Sequence, residues 1–117
     1  MPLLKPLEQR RFSEHGPVPR PLSMGTGLAV MLLCLQSGQT LVAPQGDEAE
    51  TVFTVLDGDG SVREGTSTHR VQAGDVVHVM PGEDKSLIAG QGTFTVLGVR
   101  RLAERKPRPQ KSVGDQG

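Results

Sequence analysis

The run Thr51-Val-Phe-Thr-Val-Leu-Asp-Gly-Asp-Gly60 constrains this chain more than any other stretch. Its apolar and β-branched residues fit a pleated, half-buried surface. It ends in two Asp-Gly pairs, which favour the positive φ of a tight turn. The run therefore predicts a strand entering a hairpin at Asp57–Gly60. The same punctuation recurs downstream, where strands are predicted at Ser61–Glu64, Ser67–Gln72, Val76–Met80, Ser86–Ala89 and Thr93–Arg101. Turn signals roughly every 8–12 residues indicate an all-β sandwich or barrel.

Upstream, Gly27-Leu-Ala-Val-Met-Leu-Leu-Cys-Leu-Gln36 is the most hydrophobic segment. Alternation along a strand puts Leu28, Val30, Leu32 and Cys34 on one side and Ala29, Met31, Leu33 and Leu35 on the other. Both sides are apolar, so both need cover: the barrel interior on one, and a second subunit on the other. A homodimer is expected on this ground. Five of the nine prolines fall within residues 1–21, which predicts an extended, partly paired N-terminal arm over residues 1–24, with Leu7–Phe12 either an edge strand or a short helical turn. The barrel domain is assigned to residues 25–101. A Pro-rich basic tail is assigned to residues 102–117.

Composition excludes several classes of function. With three Phe, no Trp and no Tyr, the chain lacks the aromatic platforms on which nucleic-acid bases stack, so no nucleic-acid partner is expected. The longest apolar run, Leu28–Leu35, is too short to span a bilayer as a helix, and Met1-Pro-Leu-Leu-Lys-Pro6 carries no secretory pattern, so no membrane partner is expected and the compartment is expected to be cytoplasmic. Cys34, single and inside the apolar run, is read as a buried structural thiol. The net charge of zero divides unevenly: residues 23–99 carry three Lys/Arg against nine acids, whereas the segments on either side are basic.

Phe53-Thr-Val-Leu-Asp-Gly-Asp-Gly60, followed by Ala73-Gly-Asp-Val-Val-His-Val-Met-Pro-Gly82, resembles the small single-domain cupins of the RmlC-like family. The resemblance covers about residues 25–100. It implies a double-stranded β-helix, or jelly-roll barrel, and in many members a dimer. It also implies a metal site of three histidines and one carboxylate, and here this sequence departs from the pattern. Anchored on Val55-Leu-Asp-Gly58, the first motif's ligand positions fall on Gln45, Asp47 and Thr51. Sliding by one residue brings Glu50 into the glutamate position and Pro44 and Gly46 into the histidine positions. In the second motif, Gly74 and Gly82 match, but the ligand histidine is replaced by Lys85.

An imidazole offers a neutral lone pair to a metal, whereas a protonated lysine offers none and repels the cation. The expected function is therefore a metal-free, non-catalytic cupin without a cofactor. It would bind a small polar or anionic molecule through Gln45, Asp47, Thr51 and Lys85, with a Lys85–Asp47 pair occupying the vacated metal position. The alternatives are a metal-dependent isomerase or dioxygenase-like enzyme whose divalent ion sits on Asp47, Glu50, His69 and His78, and a dimerising structural module with a filled pocket. Phosphate-loop, nucleophile-elbow and Cys-x-x-Cys patterns are absent from the sequence.

Overall fold

The structure is a computed structural model and describes residues 2–43 and 49–102. A short 3₁₀ turn at Pro6–Gln9 precedes seven strands, β1 (Val18–Met24), β2 (Leu28–Leu35), β3 (Thr40–Val42), β4 (Thr51–Glu64), β5 (Ser67–Gln72), β6 (Val76–Val79) and β7 (Lys85–Arg101). Every pairing between them is antiparallel. Among the described residues no helix is long and apolar enough to cross a membrane.

Two long strands carry the architecture. β4 and β7 pair along nearly their whole length, from Thr51 opposite Arg100 to Glu64 opposite Lys85. The ladder slips between Val55 and Asp57 and again between Gly58 and Gly60. At these bulges the ribbon bends, as extra residues in one strand require. On one side of the bend the order is β6, β4, β7, β2, β1; on the other it is β5, β4, β7, β3. Two sheets sharing two bent strands close over one core, built from Leu33 and Leu35 of β2, Phe53, Val55 and Val62 of β4, Val71 of β5, Val79 of β6 and Leu87, Ala89, Phe94 and Val96 of β7.

The hairpin expected at Asp57–Gly60 is thus a pair of bulges inside one continuous strand. The actual turn lies at Gly65-Thr66, between Glu64 and its partner Ser67. The error has a physical source, because a bulge glycine and a turn glycine can both take positive φ, and Gly58 has φ 82° and Gly65 has φ 55°. A Cβ at Gly58 would collide with the carbonyl oxygen of Thr93, so the close approach of β4 to its ladder partner β7 at this bulge needs glycine there on steric grounds as well. Likewise, the two strands expected at Ser86–Ala89 and Thr93–Arg101 are one, β7.

The Pro-rich stretch supplies β1, an edge strand on which Pro19 and Pro21 can sit opposite Leu33 and Met31. Ahead of it, the chain crosses the outer face of the first sheet. Arg20 Nη1 donates to the Gln9 carbonyl at 3.0 Å, and Arg10 Nη1 donates to Asp57 Oδ2 at 3.2 Å. Register aligns Val18, Cys34, Thr95 and Asp57 in one row across the sheet, and Arg20, Leu32, Leu97 and Thr54 in another. Gln9 and Arg10 therefore bridge β1 to β4 over Leu32, Cys34 and Thr95, which are all buried in the single chain. The cover expected from a second subunit comes, over this part of β2, from the chain's own N-terminal segment. Leu28 at the strand's start stays exposed.

Candidate functional site

Alternation along the long strands decides what reaches the barrel's interior. On β4 the inward set is Thr51, Phe53 and Val55; on β7 it is Phe94, Val96, Gly98 and Arg100 in the C-terminal half and Lys85, Leu87 and Ala89 in the N-terminal half. At the open end of the barrel these sets border a cavity of about 350 Å³, toward the small end of the range for ligand sites. Its apolar wall includes Met31, Leu33, Leu41, Phe53 and Leu87, with Pro19 of β1 closing one side. Gly98 lies in the same wall, where a Cβ would touch Leu33 Cδ1 and Phe53 Cε1 at 3.4 Å, an ordinary van der Waals contact.

The polar groups gather toward the part of the cavity next to residues 49–51. Lys85 is buried, with its Nζ donating to the Ala49 carbonyl at 3.2 Å. The buried Thr51 hydroxyl donates to the same carbonyl at 2.9 Å. Arg100 faces Thr51 across the β4–β7 ladder and lines the cavity beside it. The Arg101 amide, donating to the Glu50 carbonyl at 3.0 Å, ties the same short segment to β7. A lysine, an arginine and a hydroxyl thus converge on one end of a chamber whose remaining described lining is apolar apart from Ser86. No His, Cys, Asp or Glu is among the described residues that line it. Burying an ammonium is costly unless hydrogen bonds accompany it, and the Ala49 carbonyl provides one.

Of the four residues expected to bind a ligand, Thr51 and Lys85 both line the cavity. Gln45 and Asp47 lie outside the described residues, and so does the expected Lys85–Asp47 pair. Of the residues expected to form a rearranged metal site, Asp47 lies outside the described residues, and the other three fall into two separate pairings. Glu50 Oε2 is 2.6 Å from His78 Nε2 on the outer side of the barrel, where His78, between Val77 and Val79, is exposed. His69 is on β5, exposed, with Nε2 3.2 Å from Glu64 Oε1. Both histidines border a shallow outer groove shared with Asp75 and Arg70. Among the described residues no three His, Cys, Asp or Glu side chains come together as a metal-ligand set.

Arg100 is the site residue that sequence reasoning missed. It was grouped with the basic C-terminal segment by charge, whereas its parity with Val96 and Gly98 on a strand running to Arg101 places it inside. The strand expected at Thr93–Arg101 already contained Arg100, so that parity was legible in the sequence and was passed over for the charge.

No protein-family model matches the sequence, and no curated protein matches it. Solved structures match it well. TT1209 from Thermus thermophilus superposes with a TM-score of 0.80 at 17% identity, covering 86% of this chain and 97% of that one. An RmlC-like cupin protein from Desulfovibrio desulfuricans gives 0.76 at 21% identity, covering 86% and 96%. A conserved protein with a double-stranded β-helix domain from Klebsiella pneumoniae gives 0.77 at 19% identity, covering 85% and 88%. The fold is that of the cupins, a double-stranded β-helix.

Proposed function

We propose that this cupin barrel binds a small anionic molecule in its cavity, without a metal and without the chemistry that a metal would bring. The observation that carries this reading is the convergence of Lys85, Thr51 and Arg100 at one end of the cavity. Lysine and arginine side chains at the edge of an apolar chamber suit an anionic head group, because hydrogen bonds between charged partners are stronger than neutral ones, while the Thr51 hydroxyl, whose one proton goes to the Ala49 carbonyl, holds the adjoining segment in place. The described lining offers neither an imidazole nor a carboxylate to hold a divalent ion or to serve as general base, which supports binding over catalysis.

The test is amide chemical-shift mapping of chelator-treated protein titrated with acetate, hexanoate, phosphate and the neutral analogue hexanol. Anions should shift the amides of Thr51, Lys85 and Arg100, and Lys85→Met or Arg100→Gln should each weaken binding by about 10- to 100-fold, the effect of losing a charge-assisted hydrogen bond. If no anion moves these amides, or if binding appears only after stoichiometric divalent metal is restored, the reading is wrong.

A further inference from the structure

We propose that His78, on the outer side of the barrel, is a positioning residue for the polar end of the cavity. It holds the side chain of Glu50, and the stretch of backbone around Glu50 holds Lys85 and the Thr51 hydroxyl on the inside. The assignment does not depend on what occupies the cavity.

Alternation at the start of β4 sets up this arrangement. Thr51 and Phe53 face inward, so Glu50 and Val52 face outward. His78 of β6 stands opposite Val52, which places it diagonally across from Glu50 on the same face, a separation that long side chains span. There its Nε2 lies 2.6 Å from Glu50 Oε2. An ionised carboxylate only accepts, so Nε2 carries the proton of this bond.

On the inner side, the Ala49 carbonyl accepts from Lys85 Nζ at 3.2 Å and from the Thr51 hydroxyl at 2.9 Å. These two donors occupy both lone pairs of one oxygen, so turning that peptide unit would disturb both contacts together. The Glu50 carbonyl accepts from the Arg101 amide at 3.0 Å, which ties the stretch to β7 at one point. A single tie leaves the Ala49–Glu50 peptide unit free to rotate about it. The second tie, from the Glu50 side chain to β6, fixes the direction in which the Ala49 carbonyl points. His78 and Glu50 side chains are 51% and 30% exposed, so their pairing adds little to global stability. Its effect is local, on the orientation of one peptide unit.

The experiment acylates the ligand-free full chain with sulfosuccinimidyl acetate under native conditions and reads the rate at Lys85 by peptide mass spectrometry. Thiol labelling of the buried Cys34, run in parallel, reports any loosening of the barrel as a whole. His78→Ala should raise the Lys85 rate by about two- to five-fold, the loss of one partly exposed ion pair, with Cys34 unchanged. His78→Gln keeps a neutral donor at similar reach and should stay near the wild-type rate. In a Glu50→Ala background, His78→Ala should add nothing, because the route through Glu50 is already cut. Arg10→Ala removes another exposed pair, with Asp57, and should leave Lys85 unchanged.

An unchanged Lys85 rate in His78→Ala, or a rise of equal size in Arg10→Ala, would overturn the assignment. A matching rise at Cys34 would show a merely structural role and overturn it too. So would a rise in His78→Gln as large as in His78→Ala, or a further rise in the Glu50→Ala background, since neither fits a hydrogen bond to Glu50 as the route. Anion binding is read in a separate titration, so it stands or falls independently of these outcomes.

Discussion

At the scale of single residues, two glycines with similar backbone angles hold different positions. Gly58 (φ 82°) lies at the bulge where β4 bends along its ladder partner β7, and a Cβ there would meet the backbone of Thr93 and Phe94; Gly74 (φ 97°) lies in the turn before β6 with nothing within 4 Å of such a Cβ. Both substitutions to alanine carry the strain of positive φ, about 1 kcal/mol. Only Gly58→Ala adds a collision with backbone that cannot step aside. In urea unfolding, Gly74→Ala should therefore cost about 1 kcal/mol and Gly58→Ala at least about 3 kcal/mol; equal costs would show that the close approach is looser than it looks. The same residue scale shows what the sequence could reveal of the site. Lys85 was conspicuous because it replaces an expected ligand, and Thr51 because it falls on another ligand position. Arg100 was missed although the expected strand Thr93–Arg101 ran through it, because a cation beside other cations reads as surface unless its parity with Val96 and Gly98 is weighed against its charge.

At the scale of elements, the N-terminal segment is the part whose role the sequence obscured most. Proline content marks residues 1–24 as extended, but it does not say that Gln9 and Arg10 reach from β1 to β4 across the sheet. The strand predictions failed in a related way. Glycine was taken as the end of a strand at Gly58 and near Gly90–Gly92, whereas in a strongly bent ribbon it is what lets a strand continue. Alternation within β2 was legible, and so was the need to cover both of its faces; the identity of the cover was not, because it depends on long-range crossing. Arg10 and Asp57 are each substantially exposed, so Arg10→Ala should change stability by less than about 1 kcal/mol. Removing residues 2–13 is different, since it uncovers Leu32 and Cys34 together. The truncated protein should react with a thiol reagent such as 5,5′-dithiobis(2-nitrobenzoate) under native conditions, while the full chain stays protected at Cys34. Equal reactivity would mean that the segment does not lie over this face.

At the scale of the whole molecule, the resemblance of two glycine-bearing motifs to the cupins was enough to reach the fold, because that topology follows from the spacing of strands more than from any one side chain. Its mechanical consequence comes from β4 and β7, which each run through both sheets. Neither sheet can be taken apart without breaking strands that the other requires, and the core joins residues of both, from Leu33 and Phe53 in the first to Val62 and Leu87 in the second. The two sheets should therefore unfold as one cooperative unit, as small single domains commonly do. Native-state hydrogen exchange can read each sheet separately, through the amides of Leu33 and Val96 on one side and Val62 and Leu87 on the other. Leu87→Ala removes a fully buried side chain from the second sheet and should cost about 2–5 kcal/mol, lowering the melting temperature by on the order of 10 °C. In a single unit that loss must appear undiminished in the opening free energy of the Leu33 amide, on a strand that never pairs with the N-terminal half of β7. If Leu33 keeps its full protection while Val62 loses its own, the shared strands do not couple the sheets, and the barrel is two units joined at a hinge of bulges.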